Sequence, residues 1–272
     1  MSSANDDLVQ ITTPQDGTAV ITLNRPERMN SMSFELMVPF AEAISEVSEM
    51  NEIRSVILTG AGTGFCAGAD TRDTEPPPNI DGMTLTRIAT KAMTVLADLI
   101  PAMQRMPQPV IAAVNGPAIG GGMILATGAD IRIAAESAYF RAAGINNGLT
   151  ATELGVSFLL PRAIGSSRAF DIMLTGRDVT ANEAAEIGLV SKVVPDAQLM
   201  DTALETARAI NGWSQQGVAL TKRMMWAGLE TNSLRAAIEL ESHTQLFVRL
   251  TTQNFEEAQR ARKDGRPPAF QD

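Results

Sequence analysis

Reactive side chains are scarce in this chain of 272 residues, which has one cysteine, Cys66, and one histidine, His243. A single cysteine excludes an intrachain disulfide and suits a reducing compartment such as the cytoplasm. So few thiol and imidazole ligands argue against a zinc or haem site, and no metal is expected. Cys66 and His243 are the one conceivable thiol–imidazole nucleophile pair. However, Cys66 lies in a glycine-rich loop, and His243, within Glu241–Thr244, is expected on a late helix in a structural role. No stretch reaches ~18 consecutive apolar residues, so no membrane span is expected. The segment Met1–Gln10 carries Asp6 and Asp7 and lacks an apolar core, so it reads as a short disordered cytoplasmic tail, not a signal or transit peptide. Net positive charge is also missing. At a formal charge of -9 the chain repels a phosphate backbone, and nucleic acid is not an expected partner. Local basic groups, Arg25 with Arg28 and Arg260, Arg262, Lys263 with Arg266, still allow one small anionic ligand.

What is present is ordinary globular material, 44% hydrophobic and 19% charged. Alternating β-branched residues predict a strand over 18–23, and Asn24–Glu27 breaks it as a turn. Apolar residues at helical spacing, Leu36, Phe40, Ile44 and Val47, predict a helix over 33–50 with Ser33 as N-cap. Short apolar runs predict strands over 54–59, 109–114 and 130–134. A strand, a helix and a returning strand imply a right-handed parallel crossover. The run Glu75–Gly82 contains three prolines and is expected to be an exposed loop. Helical character returns over 83–106. A short helix is expected over 123–128, and mainly helices over 166–174, 181–187 and 197–262. No internal repeat is evident.

Two loops carry the chemistry. In Gly62–Asp70 the spacing of Gly62, Gly64 and Ala67 formally matches a dinucleotide fingerprint. That motif must open a helix that receives a pyrophosphate, whereas three prolines follow here, so a nicotinamide site is not expected. The other loop is Gly116–Met123. Both leave buried strands and consist of small residues, which lets backbone N–H groups approach a ligand closely. Two such N–H groups aimed at one oxygen would form an oxyanion hole; taken singly, each loop reads better as a tight structural turn.

The motifs Leu23–Asn30, Val56–Asp70 (VILTGAGTGFCAGAD), Pro109–Asp130 (PVIAAVNGPAIGGGMILATGAD), Leu160–Val193 and Phe255–Phe270 resemble, in order and over nearly the whole chain, those of the crotonase (enoyl-CoA hydratase/isomerase) superfamily. The resemblance implies an α/β fold: a ClpP-like spiral of β-β-α units over about residues 1–200, which binds acyl-CoA and carries out catalysis. C-terminal helices over 201–272 would then assemble trimers, often paired as hexamers. It implies a coenzyme A thioester substrate and no separate cofactor. Carried over by position, Ala67 and Gly121 would supply the two oxyanion-hole N–H groups. Gly68, Ala69 and Asp70, with Arg25, Arg28 and Met29, would line the coenzyme A end, and the C-terminal basic residues would reach coenzyme A bound by a neighbouring subunit.

The sequence departs from the family at both glutamates that hydratases use. Their positions hold Ile124 and Gly144, expected to line the pocket. One acid or base group is worth ~10²–10⁴ in rate, so the two-glutamate mechanism is lost. Glu153, twelve residues before Gly165, lies at a distance similar to that of the catalytic aspartate in related isomerases and dehalogenases, although the loop is about one residue longer here. Glu153 is therefore the candidate proton carrier, and the alternative is a first-turn acid of the following helix. The expected activity is of the enoyl-CoA hydratase or isomerase type, with isomerase-like chemistry suspected. The alternatives are acyl-CoA hydrolysis or another reaction on this scaffold, or a catalytically silent acyl-CoA-binding protein.

Overall fold

The strands alternate between two buried faces, which explains their near-continuous apolar sequences. The computed structural model describes residues 7–73 and 75–271. Among these residues, nine strands are formed: β1 (Val9–Gln15), β2 (Thr18–Leu23), β3 (Ser55–Gly60), β4 (Val110–Val114), β5 (Ala118–Ile119), β6 (Ile131–Ala135), β7 (Tyr139–Arg141), β8 (Asp178–Thr180) and β9 (Lys192–Val194). The larger sheet has the order β1-β2-β3-β4-β6-β9, antiparallel at β1–β2 and parallel elsewhere. On one face Ala19, Ile21, Val56, Leu58, Ala112 and Val114 join the main core. On the other, Val20, Ile57, Ile111, Ala113 and Ile133 form a second cluster.

A smaller sheet has the order β5-β7-β8. Isolated bridges Cys66–Ala118 and Met32–Ala69 extend it. Strand β4 runs into β5 and then α4, and β2 and β3 run into the bridged residues Met32 and Cys66 before helix, as the expected spiral requires. The crossovers are α1 (Phe34–Glu49), α2 (Leu85–Ala97), α3 (Leu99–Arg105) and α4 (Gly121–Gly128); α5 (Val156–Ile164), α6 (Ser166–Thr175) and α7 (Ala181–Glu186) complete the core. Ser33 caps α1 by accepting the Leu36 N–H, as its sequence predicts.

Three expectations need correction. The N-terminal tail shortens, because Val9 and Gln10 belong to β1, paired with β2; residues 1–6 of that expectation lie outside the described residues. The helix expected over 83–106 is divided at Asp98 into α2 and α3. Pro101 explains the break, since it has no N–H to bond back to Ala97. The expected division at residue 200 falls inside α8 (Leu199–Asn211), whose Leu199, Ala203 and Ala207 cover the second face of the sheet. The core therefore extends through α8.

α9 (Gln215–Glu230), α10 (Leu234–Thr251) and α11 (Asn254–Asp264) follow. A buried ion pair anchors α9: Lys222 Nζ lies 2.9 Å from Asp130 Oδ2 and donates to the Met103 and Gln108 carbonyls. The Trp226 Nε1–H bonds the other Asp130 oxygen at 2.6 Å. By contrast α10 buries no residue, and its Leu234 and Leu250 are 78% and 80% exposed. No helix among the described residues is long and apolar enough to cross a membrane.

Candidate active site

The loop after β3 spends its backbone donors one by one. The Phe65 and Cys66 N–H groups donate to the Pro117 carbonyl, each at 3.1 Å. Ala67 donates to the Met29 carbonyl at 3.0 Å, and Asp70 to the Met32 carbonyl at 3.0 Å. Neither the Gly68 nor the Ala69 N–H has a backbone acceptor among the described residues, but Gly68 is buried whereas Ala69 is exposed. This corrects the expectation for Ala67, whose N–H already has a partner and is not available to a ligand.

The second loop brings α4 beside the first. Gly121 is the first residue of α4, and the first N–H groups of a helix have no intrahelical acceptor. The contact between the loops is close: a Cβ placed on Gly68 would fall 2.5 Å from the Ile119 carbonyl oxygen and 3.4 Å from the Gly120 Cα. Two unpaired N–H groups, one at Ala69 and one at the α4 terminus, thus lie on adjoining loops. Donors so placed can stabilise an oxygen that gains negative charge.

Glu153 reaches the same place. A Cβ placed on Gly120 would lie 3.6 Å from Glu153 Oε1, 3.7 Å from the Ala143 Cβ and 3.9 Å from the Gly68 Cα. Its residue surface is largely open, yet the surrounding protein removes enough water from the carboxyl to raise its pKa. Glu153 is not a first-turn acid. α5 starts at Val156, whose N–H donates to the Glu153 carbonyl at 3.0 Å. Leu154 and Gly155 adopt left-handed φ of +47° and +91°, and this reversal directs the chain from Glu153 into the helix.

The other expected site residues take different roles. Ile124 is 2% exposed and lies within the main core cluster, not on an open pocket wall. Gly144 is a packing residue: a Cβ there would lie 2.0 Å from the Thr150 carbonyl oxygen, so no side chain fits while the 145–150 turn is closed over it. Arg25 and Arg28 do not form a free basic patch. Asp70 accepts Arg25 Nη1 at 3.0 Å, Arg28 Nη2 at 2.6 Å and Ser31 Oγ at 3.0 Å, and Asp73 lies 3.5 Å from Arg25 Nη2. With Glu27 Oε1 also 3.9 Å from Arg25 Nε, two cations meet three carboxylates, and the cluster carries no free positive charge. Met29 provides the carbonyl that holds Ala67. Near the C-terminus Glu257 pairs with Arg260 and Arg266, whereas Arg262 and Lys263 are exposed with no ion pair among the described residues.

Burial opposes ionisation of Asp70, but the Arg72 N–H, the Arg28 and Ser31 side chains and the Arg28 charge outweigh it. They hold the carboxyl below the ordinary range. A depressed folded-state pKa stabilises the fold above the unfolded-state value and loses that effect as pH falls through the folded one. The stability difference between the protein and Asp70→Asn is therefore expected to be full near neutrality and to shrink below about pH 4. Chemical denaturation across pH checks this; a constant difference would contradict it.

Cys66 is buried, and desolvation pushes its pKa up to about 12, leaving no thiolate at neutral pH. His243 binds the Glu239 carbonyl on its own helix at 2.7 Å. Neither residue serves as a nucleophilic pair. Among the described residues no group of three or more His, Cys, Asp or Glu is placed to hold a metal ion.

A two-sheet spiral with two adjoining glycine-rich loops beside a carboxylate defines the class of scaffold to compare with known proteins. The enoyl-CoA hydratase/isomerase family model matches residues 13–272, and the chain belongs to this family, which is of the crotonase superfamily. A probable enoyl-CoA hydratase of Mycobacterium tuberculosis (H37Rv) is 58% identical, with 97% of this chain and 93% of that protein covered. The 1,2-epoxyphenylacetyl-CoA isomerase of Escherichia coli K12 is 40% identical over 85% of this chain and 86% of its own. The crystal structure of a probable enoyl-CoA hydratase/isomerase from Mycobacterium abscessus is 52% identical and superposes with a TM-score of 0.93, covering 97% of this chain and 99% of that one.

Proposed function

We propose that the protein is an acyl-CoA isomerase. The thioester carbonyl oxygen is held by the N–H groups of Ala69 and Gly121, and Glu153 relocates a proton across the resulting enolate. Donation to the carbonyl lowers the pKa of the adjacent C–H and spreads the developing charge over two preorganised dipoles. One observation carries the reading: the Glu153 carboxyl stands at Gly120, between the loop of the free Ala69 N–H and the first turn of α4. Hydration needs one group to activate water and another to protonate carbon. With Ile124 in the core and Gly144 closed under its turn, a single carboxylate remains to take a proton from one carbon and return it to another. The isomerase name of the Escherichia coli relative agrees with this division of labour. The lone cysteine suits a cytoplasmic setting.

Incubation with saturated, enoyl, dienoyl and aromatic acyl-CoAs, read by mass spectrometry and chromatography, tests the reading. Isomers of unchanged mass are expected. Rapid gain of water would make the protein a hydratase, free coenzyme A would make it a hydrolase, and no change with any member would leave it an acyl-CoA-binding protein.

In this reading the coenzyme A nucleotide lies against the Gly68–Asp70 segment. Exposed Arg262 and Lys263 of a neighbouring copy are available to its phosphates. The uncovered apolar residues of α9 and α10, among them Met225, Leu234, Ile238 and Leu246, support a closed homotrimer or a hexamer. Sedimentation is expected to give one of these two masses, and a stable monomer at micromolar concentration would remove the proposal.

A further inference from the structure

Met32 touches both donor loops by different atoms. Its N–H donates to the Gly68 carbonyl at 2.7 Å, and its carbonyl accepts the Asp70 N–H at 3.0 Å. These two bonds flank Ala69 and fix its peptide planes, pairing its neighbours while leaving its own N–H unpaired. The side chain of Met32 goes the other way. A Cβ placed on Gly121 would fall 2.1 Å from Met32 Sδ and 3.3 Å from its Cε, so the thioether occupies the space where residue 121 would carry a side chain.

The segment bearing Met32 is itself held rigidly. Met29 and Asn30 adopt left-handed φ of +50° and +55°, a conformation that non-glycine residues keep only when their surroundings impose it. The Asn30 side chain, fully buried, accepts the Arg25 N–H at 2.8 Å and donates to the Ala61 and Gly64 carbonyls at 3.0 and 2.8 Å. One residue beyond Met32, Ser33 caps α1. Met32 is thus fixed on both sides, and its side chain acts as a spacer against the start of α4.

We propose that Met32 is a positioning residue that sets the separation of the Ala69 and Gly121 N–H groups. The inference rests on the oxyanion reading above. A donor pair stabilises the transition state only where both members reach the oxygen that becomes charged, and a displacement of about 1 Å can cost ~10²-fold in rate. The backbone bonds that also tie the loops, Ile119 N–H to the Cys66 carbonyl at 2.9 Å and Gly120 N–H to the Arg141 carbonyl at 2.8 Å, end before Gly121; with the spacer shortened, Gly121 loses the Met32 side chain that packs against it.

The test uses the full-length protein and hexanoyl-CoA isotope-labelled at the thioester carbonyl. Calorimetry measures its binding, and difference infrared spectroscopy measures the carbonyl stretch of the bound molecule. In the unaltered protein the stretch is expected to move to lower frequency, as two donors polarise the bond. Met32→Ala is expected to lose most of that shift with affinity nearly unchanged and, on the enoyl-CoA that the panel above shows to be isomerised, ~10²-fold in kcat with KM nearly unchanged. Met32→Leu, which keeps the volume, is expected to retain the shift and most of the turnover. Met32→Val keeps a core side chain but withdraws it from Gly121, and replaces the alanine variant if that one does not fold. Met37→Ala, a truncation of a wholly buried residue of α1 in the same core, is expected to lower stability while leaving the shift intact. A normal shift in Met32→Ala and Met32→Val, whatever their turnover, would overturn the role of Met32 and leave the oxyanion reading standing. No shift in the unaltered protein with thioester bound would remove the oxyanion reading and this inference with it.

Discussion

Glu153→Gln is expected to lower turnover by ~10²-fold or more while leaving acyl-CoA affinity nearly unchanged. Glutamine keeps the length and the hydrogen-bonding outline of the side chain but cannot accept and return a proton. The loss therefore falls on the chemical step and not on binding. The pH profile supplies a second measurement. Desolvation raises the Glu153 pKa, and a base that must be ionised gains activity as pH rises through its own pKa. The acidic limb of kcat is therefore expected above the ordinary carboxylate range, and that limb is expected to vanish in Glu153→Gln. Full activity in this variant would end the assignment. Restoring a glutamate at residue 144 is not a route to hydratase activity, because even its Cβ would collide with the Thr150 carbonyl.

Replacing the Ala69 amide by the matching ester, with lactate in place of alanine, is expected to lower kcat by ~10²–10³-fold. The ester deletes one N–H and adds no atom; its side effect is a weaker Gly68 carbonyl, the acceptor of the Met32 N–H, which the thermal unfolding measurement reports. Proline at Gly121 does not offer the same control, since a carbon added there meets the sulfur of Met32. The ester at Ala67 provides the contrast. It removes the bond to the Met29 carbonyl and is expected to cost ~1 kcal/mol of stability with turnover largely kept. Stopped-flow turnover and thermal unfolding of the two esters decide between the donors. Equal loss of turnover in both, or loss only at Ala67, would return the oxyanion role to Ala67.

The contrast between Ala67 and Ala69 marks the limit of what a loop sequence conveys. Both are small residues in one short segment, and residue type does not state which peptide N–H is already paired. Pairing is decided by register against residues 29–32, a contact across 35 or more positions of chain. The same holds for Arg25 and Arg28. Their charges are plain in the sequence, but the carboxylate that neutralises them is Asp70, and only folding brings the three together. Gly144 read as a pocket position because the family places a glutamate there; the closed turn over it is a tertiary contact.

Local chemistry determined a good deal by itself. The strands of the large sheet were legible because each is a short apolar run, and their burial on both faces follows from those same residues. The start of α1 was legible because Ser33 satisfies a free helical N–H within three residues. The site's position at the two glycine-rich loops followed from small residues placed directly after buried strands. Glu153 was a candidate because its position resembles that of the catalytic aspartate in related isomerases and dehalogenases; its approach to Gly120 comes from the packed loop. Hydrophobic pattern and capping act over a few residues, so one stretch of sequence contains the whole of their cause. The identity of the free donor, the neutralisation of the basic pair and the spacer role of Met32 depend on atoms from distant segments meeting at hydrogen-bond or van der Waals distance, and only the tertiary structure decided those.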